Sequence, residues 1–90
     1  MKIEEQIKKA ISDVMQPEVV EVVNQSYKHQ GHRGDDGSGE SHFDLYIVSK
    51  LLQGKSRVER HRMIFSILQN NIETLPHALS IKALAPDEVN

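Results

Sequence analysis

Residues 42–49 read His42-Phe43-Asp44-Leu45-Tyr46-Ile47-Val48-Ser49, with Phe43, Leu45 and Ile47 alternating against Asp44, Tyr46 and Val48. A period of two sends successive side chains to opposite faces, so the stretch predicts a strand with one apolar face. Upstream, Val19 to Tyr27 is rich in β-branched residues with partial alternation and predicts a second strand. Between them, Lys28 to Ser41 holds four of the five glycines, the charges Arg33, Asp35 and Asp36, and two histidines, His29 and His32. No apolar residue interrupts it. The composition predicts a mobile loop, about 28–41, that turns the two strands into a long antiparallel hairpin.

Working outward from this hairpin, Gly54-Lys55-Ser56 opens the next element. Ser56 with Glu59 three residues on fits a capping box, and Val58, Phe65, Leu68 and Ile72 continue a helical stripe. Asn70-Asn71 is the expected fraying end, and Leu75-Pro76 breaks the helix. Ala78 to Leu84 then alternates Leu79, Ile81 and Ala83 against Ser80 and Lys82, a third strand. The helix between strands two and three permits a parallel crossover. At the other end, Ile3, Ile7, Ala10, Ile11 and Val14 mark a one-sided helix over Lys2 to Met15, ended by Gln16-Pro17. Pro86 followed by Asp87 and Glu88 predicts one short terminal helical turn. The order is α-β-β-α-β-α, and the expected packing is an α+β fold: a three-stranded mixed sheet with helices on one face.

Ninety residues make one domain, 1–90, because domains usually hold roughly 100 to 200 residues. A chain of this size buries only about 60–65% of its unfolded surface, so its core is thin. Eleven Lys and Arg against thirteen Asp and Glu give a net charge of -2, which argues against a generic polyanion binder while leaving room for a local basic patch. There is no cysteine. Disulfide-linked partners, thiolate nucleophiles, zinc ribbons and self-contained cysteine-ligated clusters are therefore excluded. Apolar runs fall far short of the roughly 20 residues that span a bilayer, and Glu4 and Glu5 stand where a signal or transit peptide would not carry acids. The expectation is a cytoplasmic protein with no membrane partner.

Several segments together resemble the BolA family. They are Glu21-Val22-Val23-Asn24-Gln25-Ser26-Tyr27, Glu40-Ser41-His42-Phe43, Ile47-Val48-Ser49, Gly54-Lys55-Ser56 with Arg60-His61-Arg62, and His77-Ala78-Leu79-Ser80. They stand in the family's order and spacing and span nearly the whole chain. One departure is that Leu52 replaces the aromatic of the usual Phe-x-Gly, a core substitution. The resemblance implies a fold similar to the class II KH domain. It also implies a complex with a monothiol glutaredoxin that shares a [2Fe-2S] cluster, and DNA-linked regulation of morphology and stress response. An enzymatic role is not implied.

The histidines carry the metal chemistry open to such a chain. A [2Fe-2S] cluster needs four ligands, normally cysteine thiolates, with histidine the substitute on one iron. This chain offers only imidazoles, so a cluster function is confined to a shared site where a partner cysteine and a bound glutathione bring the sulfur. By its position alone, His77 better suits a histidine capping strand backbone or pairing with an acid; the resemblance reverses that and implies that it is the constant ligand candidate. His29 and His32 form His-x-x-His on a glycine-rich backbone, fit to reach a partner-held metal, to bind Zn or Ni adventitiously, or to remain solvated. His32, deeper in the loop, is the favoured ligand of the two. His42 reads as structural or surface, and His61 as packing against the sheet or bonding a turn.

From Lys50 to Arg62 the chain carries five cations (Lys50, Lys55, Arg57, Arg60, Arg62) against Glu59 alone. At a helix amino terminus, with its free amide donors, this set can meet phosphate, and Lys55, Arg57, Arg60 and Arg62 are the candidate nucleic-acid contacts. The same face equally suits an acidic protein surface. Against nucleic acid stand the missing Gly-x-x-Gly of KH loops, the acidic balance and only four aromatics, of which Phe43 and Phe65 look committed to the core. Gly54-Lys55-Ser56 is no P-loop, since Ser49 stands where the first glycine is required. No catalytic constellation emerges, and an enzyme is not expected.

Overall fold

The computed structural model describes residues 2–24, 42–73, 75–76 and 78–89. Helix α1 (Ile3–Met15) is followed by strand β1 (Val19–Asn24) and strand β2 (His42–Val48). A 3-10 turn (Lys50–Leu52), helix α2 (Arg57–Asn71), strand β3 (Ala78–Leu84) and a terminal 3-10 turn (Pro86–Glu88) complete the chain. β2 is the central strand. It pairs antiparallel with β1, Val22 opposite Leu45, and parallel with β3, Leu45 opposite Ile81. The α+β architecture with a mixed three-stranded sheet agrees with the sequence reading, and the description as KH-like is compatible with it.

Alternation on β2 builds the core. Phe43, Leu45 and Ile47 are buried on one face, where they join Ile7, Ile11 and Met15 of α1 and Ile64, Leu68 and Ile72 around α2. Val20 and Val22 of β1 and Leu79, Ile81 and Ala83 of β3 flank the same cluster. Both helices thus cover one face of the sheet. Leu52, in the place of the family's aromatic, is fully buried in that cluster.

Three details differ from expectation. Val14 lies on the α1 stripe but in its last turn, where it is 49% exposed and lines an open groove with Lys50 and Leu51; Met15 fills the core instead. On α2, Val58 is 57% and Phe65 36% exposed. A step of three residues rotates a helix by about 300°, so Phe65 stands about 60° round from Leu68 and Val58 falls close to it, on the flank of the helix. The buried line is Ile64, Ile67, Leu68 and Ile72. The 3-10 turn at Lys50–Leu52 has no periodic signal and was not anticipated. The residues 25–27 of the expected first strand, and the whole expected loop 28–41, lie outside the described residues.

Helix boundaries follow the local chemistry. Ser56 Oγ accepts the Glu59 N–H at 3.1 Å, and Glu59 Oε1 accepts the Ser56 N–H at 2.8 Å, so the capping box is complete. Gln16 closes α1 in the left-handed region (φ 46°, ψ 56°), directly before Pro17. Gly54 (φ 78°) supplies the left-handed residue that lets the chain turn into α2.

Candidate functional site

The segments that bear the candidate metal ligands join the described strands at Asn24, His42 and Ala78. β1 ends at Asn24, partner of Phe43, and β2 begins at His42, partner of Ala78. The segment that carries His29 and His32 is therefore tied to the sheet at Asn24 and His42. Ala78, one peptide bond after His77, stands beside that second tie point. His29, His32 and His77 themselves lie outside the described residues. The run into β3 is fixed by Leu75, which packs on the core, and by half-buried Pro76. His42 is half-buried at the start of β2. Among the described residues, no group of three or more His, Asp or Glu side chains forms a metal-binding set.

Of the candidate nucleic-acid contacts, Lys55, Arg57 and Arg60 line a cleft of about 530 Å³ between the start of α2 and β3, and Arg62 does not. Lys55, Arg57, Arg60, His61, Lys82 and Glu88 line it. Arg60 is the organiser. Its Nε donates to the Lys55 carbonyl at 3.0 Å and its Nη1 to the Ala83 carbonyl at 2.9 Å. The remaining fork grips Glu88: Nη1 to Oε1 at 2.7 Å and Nη2 to Oε2 at 3.2 Å. The Arg60 side chain is only 11% exposed, so it serves first to bind α2, β3 and the terminal turn together. Glu88 also accepts the Ala85 N–H at 2.6 Å. The Arg60 guanidinium, and then the Ala85 amide, hold the Glu88 carboxyl below the ordinary glutamate range. Glu59 is likewise held low, chiefly by the Ser56 amide of the capping box.

Arg57 and Arg62 are exposed and Lys55 half-buried, so these three present their charge outward while Arg60 does not. His61 lines the cleft beside Ile81–Leu84 of β3, consistent with a place against the sheet. Two members of the cleft escaped the sequence reading. Lys82 looked like the polar phase of a strand, and its Nζ lies 5.9 Å from the Tyr46 ring centroid. Glu88 was read only as part of a helical turn, because a pairing across 28 positions leaves no periodic trace. No described helix is long and apolar enough to cross a membrane.

A family model described as "BolA-like protein" matches residues 11–88. The chain is 46% identical over 93 aligned residues to the SufE-like protein 1 of Arabidopsis thaliana, covering 99% of this chain and 24% of that one. It is 38% identical over 81 residues to the "DNA-binding transcriptional regulator BolA" of Escherichia coli, covering 90% of this chain and 73% of the relative. The solved structure of BolA1 from Arabidopsis thaliana is similar with a TM-score of 0.85 at 32% identity, covering 100% of this chain and 98% of that one. The match runs from buried Ile11 of α1 to Glu88 of the terminal turn, through the mixed sheet and the capped α2, and the chain belongs to the BolA family.

Proposed function

We propose that this chain is an adaptor that docks a monothiol glutaredoxin and contributes imidazole ligands to a shared [2Fe-2S] cluster, in cluster trafficking or in iron or redox regulation. The observation that carries the reading is the donor set: five histidines and no thiol, with His42 beside Ala78 where the segment bearing His29 and His32 meets the strand that follows His77. That set fits a shared site and does not fit a self-contained one. His77 and His32, with His29 as the alternative to His32, would hold the group, while the partner's cysteine and glutathione bring the sulfur. Histidine ligation raises the potential of such a centre relative to all-thiolate ligation. No catalytic role is part of the proposal.

The test is to mix the purified chain with cluster-loaded glutaredoxin and follow the visible absorption and circular dichroism. The expected result is a changed cluster spectrum that His77→Ala abolishes. An unaltered spectrum on mixing, or the same response from His77→Ala, removes the proposal.

A second reading, DNA binding in regulation of stress response and morphology, is favoured by the outward Arg57 and Arg62 beside Lys55 and by the similarity to the DNA-binding transcriptional regulator BolA of Escherichia coli. It predicts duplex affinity that falls with salt in proportion to the phosphate contacts made. Neutralising Arg57 and Arg62 together should flatten that dependence. Equal salt slopes in the variant and the parent would eliminate the reading.

A further inference from the structure

We infer that Glu88 occupies the basic cleft as an intramolecular stand-in for a phosphate, so that the terminal turn restrains nucleic-acid binding by the face around Arg60. The inference rests on the DNA-binding reading above and adds a regulatory element to it.

Among the described residues lining the cleft, Glu88 is the one acid, set against Lys55, Arg57, Arg60 and Lys82. The carbonyls of Lys55 and Ala83 hold the guanidinium of Arg60, which leaves its fork turned to the two oxygens of Glu88. A planar fork of this kind accepts a carboxylate or a phosphate with the same bidentate geometry. The occupant is therefore interchangeable in chemistry, and Arg60 is already oriented for the replacement.

The restraint is also built to be released. Glu88 is 42% exposed and sits on a three-residue turn, held by its own N–H to the Ala85 carbonyl at 3.0 Å and by Val89 N–H to Pro86 at 3.4 Å. Ala85, 1% exposed, is the fixed point behind it. Swinging the turn outward about Ala85 gives up the Arg60 pair and the part-buried Ala85 N–H bond to Glu88, but uncovers no buried side chain of the turn. The lock is bidentate, but its carboxylate side stands in water, where a competing phosphate can reach the fork. Once released, Arg60 becomes a fourth cation for the phosphate chain, next to Lys55, Arg57 and Lys82.

The experiment is fluorescence anisotropy of a labelled DNA duplex with the full chain over a salt series, for the parent, Glu88→Gln and Asp87→Asn. The two variants remove the same charge, but only Glu88 touches Arg60. One added phosphate contact steepens the salt slope by about 0.9, which corresponds to about eightfold tighter binding at 0.1 M salt relative to 1 M. Glu88→Gln should show both changes, and Asp87→Asn less than about a twofold gain. Equal behaviour of the two variants overturns the restraint while the DNA-binding reading survives in the parent's own salt-dependent binding. No binding by any of the three overturns both. If Glu88→Gln melts below the assay temperature, Glu88→Asp takes its place: it keeps the charge and shortens the reach to Arg60. Tighter binding than the parent then supports the inference, and unchanged binding overturns it.

Discussion

Ser49 is 1% exposed and is the buried polar residue among those described. Its Oγ donates to the Met15 carbonyl at 3.3 Å and accepts the Leu51 N–H at 3.2 Å, while its own N–H donates to Leu84 at 3.1 Å. The side chain thus caps the 3-10 turn and ties it to the end of α1, while the backbone amide of the same residue ties it to the end of β3. Ser49→Ala leaves the Met15 carbonyl and the Leu51 amide without that partner in a buried place. The expected cost is about 1–2 kcal/mol, read as a lower midpoint in urea at unchanged slope. A loss of a few tenths would mean that the hydroxyl contributes nothing there. In the sequence Ser49 stands out as the residue that spoils a P-loop and as the end of the family-like segment Ile47-Val48-Ser49. The carbonyl its hydroxyl bonds is 34 positions away, so neither periodicity nor spacing can reveal it.

At the scale of elements, the strands and helix starts were legible because their causes are local. Alternation over Phe43, Leu45 and Ile47 fixes a strand, and Ser56 with Glu59 fixes the start of α2 within one turn. What sequence could not supply was the rotation of α2 about its own axis, since two overlapping apolar lines were available. The structure buries Ile64 and leaves Phe65 at 36% exposure. Ile64→Ala should therefore cost about 2–5 kcal/mol, and Phe65→Ala clearly less, despite the larger side chain. Chemical denaturation of the pair checks the rotation, and the reverse order would refute it. The same elements set an acid limit. Glu59 at the start of α2 and Glu88 in the terminal turn both titrate below the ordinary 4.5 when folded. A depressed carboxyl contributes stability that is complete above its unfolded value and is lost as pH falls through the folded one. Melting temperature should then decline as pH drops below about 4.5. Glu59→Gln keeps an acceptor for the Ser56 amide but cannot titrate, so its decline should be shallower than that of the parent. Identical curves would show that the capping box contributes nothing to the acid limit.

Over the whole molecule, the fold and the proposed cluster chemistry draw on different parts of the chain. Among the described residues, the sheet and the core are built on either side of 25–41: the β1–β2 register runs from Val19 opposite Val48 to Asn24 opposite Phe43, and the buried cluster includes Phe43. Composition assigned 28–41 a role beyond packing, because it offers imidazole, charge and glycine but no apolar side chain. This division makes a strong test. Replacing residues 25–41 by a turn of about five residues with glycine removes His29 and His32 and leaves every described pairing with its partner. Loop-closure entropy grows only logarithmically with length, so the shortening should raise stability by about 1 kcal/mol if the turn is unstrained. The shortened chain should therefore unfold cooperatively at slightly higher denaturant. On mixing with cluster-loaded glutaredoxin, it should no longer produce the spectral change expected of the parent. Retention of that change without His29 and His32 would leave His77 as the sole imidazole of the proposed site, while loss of cooperative folding would show that the replaced segment belongs to the core after all.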